Sequence, residues 1–401
     1  MPQSRLFRAA PGRFPIRISK TIARLAAARL SADAGNMAAT DRLSDIRDFG
    51  ANPGNLRARC YRPPGLAANA PLVVILHGCT QNAALYDQGS GWSALADRHG
   101  FALLYPEQKR ANNSNLCFNW YQNEDARRGH GEAKSIAAMV QHMVAAHNLD
   151  PARVFVTGLS AGGAMASVML AAYPDLFAAG AIVAGLPFGV ADNLGRAFES
   201  MGGRGRGSSG ALGDAVRKAS SHRGPWPGVS VWHGNADHIV NASNGDDIAA
   251  QWRDVHGLSA KPDRVGTVDG YPHKVWLGPD GAPLVEQYVI TGMGHGVPLA
   301  PGEGEGQSGE AGAHMLDAAI SSTDRIAAFW GIADEAVAVR RPAAREPARE
   351  APRGPVRNLV PIKAPIRRQA RNPAPKPAPK PIVSGVQKII EDALRTAGLM
   401  R

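Results

Sequence analysis

Arg153-Val154-Phe155-Val156-Thr157-Gly158-Leu159-Ser160-Ala161-Gly162-Gly163 is the stretch whose reading decides the fold. Val154, Phe155 and Val156 form a short β-branched and aromatic run, suited to a central strand buried on both faces. Gly158-Leu159-Ser160-Ala161-Gly162 then fits G-x-S-x-G, a sharp turn from strand to helix. Small residues at both ends let the backbone bend tightly and hold Ser160 in a strained, exposed position. Its hydroxyl is expected at the N-terminus of the next helix, where backbone N–H groups face developing negative charge. That helix is predicted over 164–173, stopping before Pro174. The plainer reading is a strand-to-helix turn with a capping serine. The strand before it and the helix after it favour a nucleophile.

Outward from this turn, further strands are read at 57–61, 71–76, 101–105 (closed by Pro106), 179–184, 229–233 and 287–290. Helices are read at 131–148, with Ile136, Met139, Val140 and Met143 on one face, and at 311–330. Strands alternating with helices imply an α/β fold, a mainly parallel sheet covered on both faces. Ligands of such sheets bind beyond the C-terminal strand ends. Residues 263–281 read as a small hairpin with turns at Asp269-Gly270 and Asp280-Gly281. Residues 189–227 are a long insert with a Gly/Arg/Ser-rich centre, a length that suggests a lid or binding loop.

A serine nucleophile needs a base, an orienting carboxylate and an oxyanion hole. Downstream of Ser160 come Val231-Trp232-His233-Gly234-Asn235-Ala236-Asp237 and then Gly292-Met293-Gly294-His295-Gly296. Asp237 is the expected carboxylate and His295 the expected general base, in the order Ser, acid, His of α/β-hydrolases. The plainer roles for Asp237 are capping the helix at about 246–255 or tightening its own turn. His77-Gly78-Cys79-Thr80-Gln81 ends the strand at 71–76, where the second backbone donor of the oxyanion hole belongs. The expected donors are the N–H groups of Ala161 and Cys79, with Thr80 the alternative to Cys79.

These motifs, with Cys117-Phe118-Asn119-Trp120-Tyr121 and Arg128-Gly129-His130-Gly131-Glu132, resemble the poly(3-hydroxybutyrate) depolymerase family of esterases. This is a branch of the α/β-hydrolases that also includes feruloyl and acetylxylan esterases. The resemblance covers about residues 45–332. It implies an α/β-hydrolase fold, with Ser160, Asp237 and His295 as triad and Cys79 in the oxyanion turn. It also implies export, and with it a bridge between Cys79 and Cys117 that leaves Cys60 free; free thiols are the expectation in a cytosolic or granule-associated enzyme. Trp120, Leu159 and Trp232 are candidate pocket residues, although a Trp is as often core. Glu132 reads as a structural acid near Arg127 or Arg128. No cofactor and no metal is needed for this chemistry.

Composition sets the limits around that centre. The 401 residues carry a formal net charge of +11, unevenly placed: +7 in 1–30, +11 in 340–401 and −7 between them. The basic character belongs to the two arms, which suit an anionic surface or granule rather than sequence-specific nucleic acid. Three cysteines are too few for a disulfide scaffold. No apolar run is long enough to span a membrane. Residues 1–40 lack the uncharged core of a signal peptide, and 14–30 fit a basic amphipathic helix instead. The expected organisation is a basic leader at 1–45, a catalytic domain at 46–335, a Pro/Ala/Arg/Lys-rich linker at 336–382 and a short amphipathic helix at 383–401. Three functions compete: a serine esterase acting on short 3-hydroxyacyl polyesters, a feruloyl or acetylxylan esterase, and a surface-binding protein with an incidental hydrolase-like core. An intact Ser160, Asp237 and His295 set speaks against the third.

Overall fold

The computed structural model describes residues 41–302 and 304–333. The expected linker, the terminal helix and the helix at 14–30 lie outside the described residues. The sheet itself begins inside the expected leader, at β1 (Ser44–Ile46). The other strands of the main sheet are β2 (Arg57–Tyr61), β3 (Leu72–Leu76), β4 (Ala102–Glu107), β5 (Val154–Leu159), β6 (Ala179–Val183), β7 (Gly228–Gly234), β8 (Arg264–Val268), β9 (Tyr271–Leu277) and β10 (Pro283–Ile290). Their order is β1-β2-β4-β3-β5-β6-β7-β10-β9-β8. The block from β4 to β10 is parallel throughout, and antiparallel strands extend it at both margins.

The central strands are apolar on both faces, and their residues alternate between two cores. On β3, Leu72, Val74 and Leu76 enter one core and Val73 and Ile75 the other. On β5, Val154 and Val156 oppose Phe155 and Leu159 in the same way. The first core is roofed by α3 (Gly131–His147), α4 (Ala161–Ala172) and α7 (Ser243–Val255). The second is covered by α1 (Ala83–Ser90), α2 (Trp92–His99) and α8 (Ser322–Phe329). Ile136, Met139, Val140 and Met143 of α3 all face the first core, and each such fully buried side chain stabilises by roughly 1.5–3 kcal/mol.

Four sequence expectations change. Strand β4 runs through Pro106, because past Leu104 it borders β2 alone and a missing N–H is tolerated there. Helix α4 starts directly after Ser160. The long insert carries two helices, α5 (Leu194–Met201) and α6 (Ser209–Ala219), capped by the side chains of Asn193 and Ser208. Buried Gln251 of α7 anchors it: its amide donates to the Phe188 and Leu212 carbonyls and accepts from the Phe188 N–H. Finally, the helix expected at 311–330 forms only from Ser322. His314 and Ala319 adopt positive φ of 61° and 52°, which no right-handed helix contains. Met315–Asp317 instead form β12, parallel to β11 (Val297–Leu299), and the Ser321 hydroxyl caps α8.

Candidate active site

Ser160 sits between β5 and α4 with φ 57° and ψ −118°; the strain is as expected, but the residue is buried rather than exposed, because the loops at the strand ends close over it. A non-glycine residue held there stores strain of about 1–3 kcal/mol. Two backbone bonds impose it: the Ser160 N–H donates to Val183 O at 2.9 Å, and its carbonyl accepts from the Ala164 N–H at 2.8 Å. The flanking glycines are required by close approach. A Cβ on Gly162 would lie 2.1 Å from the Leu76 carbonyl oxygen, and one on Gly158 2.4 Å from that of Gly162. The helix start is therefore pressed against the end of β3, bringing Ser160 beside the turn at 77–81.

Asp237 follows β7 and His295 follows β10, so both lie at the strand ends that also carry Ser160. Their loops are stitched together. Asn235 N–H donates to Ile290 O at 3.1 Å, Ala236 N–H to Met293 O at 3.0 Å, and Gly292 N–H to Asn235 Oδ1 at 2.7 Å. Asp237 Oδ1 accepts from the Ile239 and Val240 N–H groups at 2.8 and 2.9 Å. Its Oδ2 accepts from His295 Nδ1 at 2.7 Å. Asp237 thus tightens its own turn and also holds His295; it does not cap α7. Burial alone would push this carboxyl up, but the hydrogen bonds and charges of His233 and His295 together hold it below the usual carboxylate range. With the proton on Nδ1, Nε2 of His295 keeps its lone pair, which is the form a general base needs.

Two histidines beyond the expected set support this pair. His233 Nε2 bonds Val240 O at 2.9 Å and lies 3.4 Å from Asp237 Oδ2, beneath the carboxylate. Its position four residues before Asp237, at the end of the same strand, is the sequence signal that marks it. His314 Nδ1 lies 3.1 Å from the carbonyl oxygen of His295. No local motif marks His314, which falls inside the helix expected at 311–330.

Among the described residues, the backbone N–H groups of Cys79 and Ala161 donate to no protein acceptor, as oxyanion donors require. Thr80 is different: its N–H is committed to Asn115 O at 2.7 Å, which removes it as the alternative donor. Cys79 and Cys117 are joined by a disulfide, and Cys60 is a buried free thiol. The candidate pocket residues are not brought to an open cleft. Trp232 is fully buried, stacked on Tyr288 at 3.7 Å between centroids, with Nε1 donating to Ser230 Oγ. Leu159 faces the second core and Trp120 packs into the first. Apolar side chains on central strands are claimed by the cores before any ligand.

Glu132 also departs from expectation. Arg127 pairs with Glu124 and Arg128 with Asp175, while the Glu132 carboxylate is buried and accepts from Asn119 N–H, Asn119 Nδ2 and Gln108 Nε2. Burial, with the charge of Asp125 adding to it, pushes this carboxyl up to about 8 against those hydrogen bonds. The folded state therefore holds the proton more tightly than the unfolded chain, whose value is near 4.5. The stability this contributes is complete below about pH 4.5 and is lost as the pH rises to about 8. Glu132→Gln should flatten the fall of Tm across this window; parallel Tm–pH curves for variant and wild type would contradict it. The Cys79–Cys117 bridge closes a loop of sequence separation 38. A loop of that size corresponds to roughly 3–4 kcal/mol, so urea unfolding with and without reductant should differ by about that amount.

Comparison with known proteins agrees with this architecture. Residues 56–267 match the family described as esterase PHB depolymerase. A poly(3-hydroxyalkanoate) depolymerase C from Paucimonas lemoignei is 49% identical over 291 residues, covering 72% of this chain and 70% of its own length. A probable acetylxylan esterase A from Aspergillus flavus is 33% identical over 269 residues, covering 64% of this chain and 85% of its own. The solved acetyl xylan esterase from Aspergillus awamori superposes with a TM-score of 0.62 at 26% identity, over 73% of this chain and 99% of that one. A family match over more than half the chain, a relative at 49% identity and a superposable solved esterase converge: the chain belongs to the PHB depolymerase family of esterases and is a carboxylic ester hydrolase of the α/β-hydrolase fold.

Proposed function

We propose that this esterase cleaves short-chain 3-hydroxyalkanoate polyesters or their oligomers through a Ser160–His295–Asp237 triad. The observation that carries the reading is the 2.7 Å bond from His295 Nδ1 to a buried Asp237 carboxylate, at the strand ends that carry the strained Ser160. Ser160 Oγ attacks the ester carbonyl while His295 Nε2 takes its proton. The resulting oxyanion is met by the N–H groups of Cys79 and Ala161. Asp237 stabilises the imidazolium, which protonates the leaving alkoxide and frees the alcohol end of the substrate. Water then attacks the acyl-enzyme, His295 again taking the proton and returning it to Ser160 as the hydroxy acid leaves.

The polyester reading is supported by the half-identical depolymerase. A second reading, release of acetyl or feruloyl groups from xylan, is supported by the acetylxylan relatives and the solved fungal structure. The disulfide beside Ser160 supports an oxidising, extracellular setting. The +11 segment 340–401 is proposed to hold the enzyme to anionic surfaces or coated granules without entering the chemistry. Its deletion should leave kcat/KM on a soluble ester unchanged and weaken low-salt adsorption to anionic particles; equal adsorption would exclude that role.

Ser160→Ala should lower kcat on p-nitrophenyl butyrate by about 10⁴–10⁶-fold while the protein stays folded. Near-wild-type turnover would remove Ser160 from the mechanism. Release of soluble acids from poly(3-hydroxybutyrate) film, set against acetyl and ferulate release from xylan, separates the two substrate classes. The polyester reading requires the film to be the better substrate.

A further inference from the structure

The turn that carries the Cys79 amide is braced by a buried histidine with no part in the triad. His77 is 1% exposed. Its Nδ1 lies 2.8 Å from the Gly78 carbonyl oxygen, and its Nε2 lies 3.1 Å from the Gln108 backbone nitrogen. A carbonyl only accepts and a backbone N–H only donates, so both contacts are met by a neutral ring with its proton on Nδ1. Burial lowers the ring's pKa, which favours the same neutral form.

Gln108 is itself held in place. Its side-chain Nε2 donates to Cys117 O at 3.1 Å and to the buried Glu132 Oε1 at 2.5 Å. On the other side of the turn, the Gly78 N–H donates to Gln81 Oε1 at 2.8 Å. The Gly78–Cys79 peptide is trans, so its carbonyl and its N–H point in opposite directions. Whatever holds the Gly78 carbonyl therefore also aims the Cys79 N–H.

We propose that His77 is a positioning residue: locked as the Nδ1–H tautomer by Gln108, it fixes the Gly78–Cys79 peptide so that the Cys79 N–H meets the oxyanion of the tetrahedral intermediate. This rests on the triad and oxyanion reading above. The Gly78 carbonyl also accepts the Gln81 N–H, at the longer distance of 3.3 Å; with that bond alone the peptide is held less firmly and can tilt a carbonyl dipole toward the developing negative charge. That replaces a stabilising donor with a repulsive acceptor. Loss of one oxyanion donor typically costs about 10²–10³ in kcat. Glu132, Gln108 and Cys117 then form the support that keeps the tautomer and the turn in register.

Two substitutions separate this role from packing. The Asn amide nitrogen stands where His Nδ1 stands, and the Gln amide oxygen reaches the place of Nε2. His77→Asn should therefore keep kcat on p-nitrophenyl butyrate within about tenfold, while His77→Gln should lose about 10²–10³. KM should stay within about threefold in both, because the interaction is made in the transition state. Turnover is normalised to the sites labelled by a fluorophosphonate, so a misfolded fraction does not count as a slow enzyme. A packing role gives the opposite order, since Gln is closer to His in size; Gln equal to or better than Asn overturns the proposal. Nitrogen-15 NMR of His77 in the wild type needs no turnover. It should show a neutral ring protonated on Nδ1 from pH 5 to 8, and an Nε2–H ring or an imidazolium overturns the proposal. Should Ser160→Ala keep its activity, the triad reading falls, and the tautomer still decides whether His77 holds the Gly78 carbonyl.

Discussion

The contact on which the rest of the site depends is the backbone approach between the start of α4 and the end of β3. No side chain fits there: a Cβ on Gly162 would sit 2.1 Å from Leu76 O and 2.5 Å from His77 O. This approach has two consequences. It sets the φ of 57° at Ser160, which lifts the hydroxyl out of the sheet. It also brings the first amide of α4 beside the turn that carries the Cys79 amide, so the proposed nucleophile and the proposed oxyanion donors share one rigid junction. The strain at Ser160 is offset by the packing of β3 and β5, whose side chains are divided between two cores and leave little room for slippage.

The electrostatic half of the site is assembled separately, at the far side of β6. The loops after β7 and β10 are tied by three hydrogen bonds through Asn235, Ala236 and Gly292. That lattice lets a buried Asp237 stay ionised, because two backbone amides and two histidines surround it. In the proposed mechanism this carboxylate orients His295 through the 2.7 Å bond to Nδ1. His314 fixes the carbonyl of the same residue, which explains why β11 and β12 are needed beyond the main sheet.

Much of this was legible in the sequence, for identifiable reasons. Strands β3, β5, β6 and β7 announce themselves because buried parallel strands are continuous apolar runs. Ser160 and Asp237 stand out because each follows such a strand within a Gly-bearing turn, and His295 because it lies in a Gly-rich turn after the last main-sheet strand. The rest depends on tertiary context. Trp232 and Leu159 looked like pocket residues through their proximity to motif residues, but strand alternation points both into the core. The helix expected through 311–321 fails at His314 and Ala319, whose positive φ is imposed by pairing with β11. The partners of Glu132, Gln108 and Asn119, lie 24 and 13 residues before it on the β4–α3 connection, and no local spacing announces them. Thr80 is excluded as an oxyanion donor only by a carbonyl from a distant residue, Asn115.

The central claim is that the hydroxyl of the strained Ser160, in the turn between β5 and α4 and activated by the His295–Asp237 pair, attacks the ester. Peptide mapping by mass spectrometry after reaction with a p-nitrophenyl alkylphosphonate tests it most directly, because that reagent leaves a stable tetrahedral adduct on an activated hydroxyl. The account requires one adduct per chain, on Ser160, formed far more slowly in Asp237→Asn. Labelling of a different residue, or unchanged labelling of Ser160 in Asp237→Asn, would contradict it.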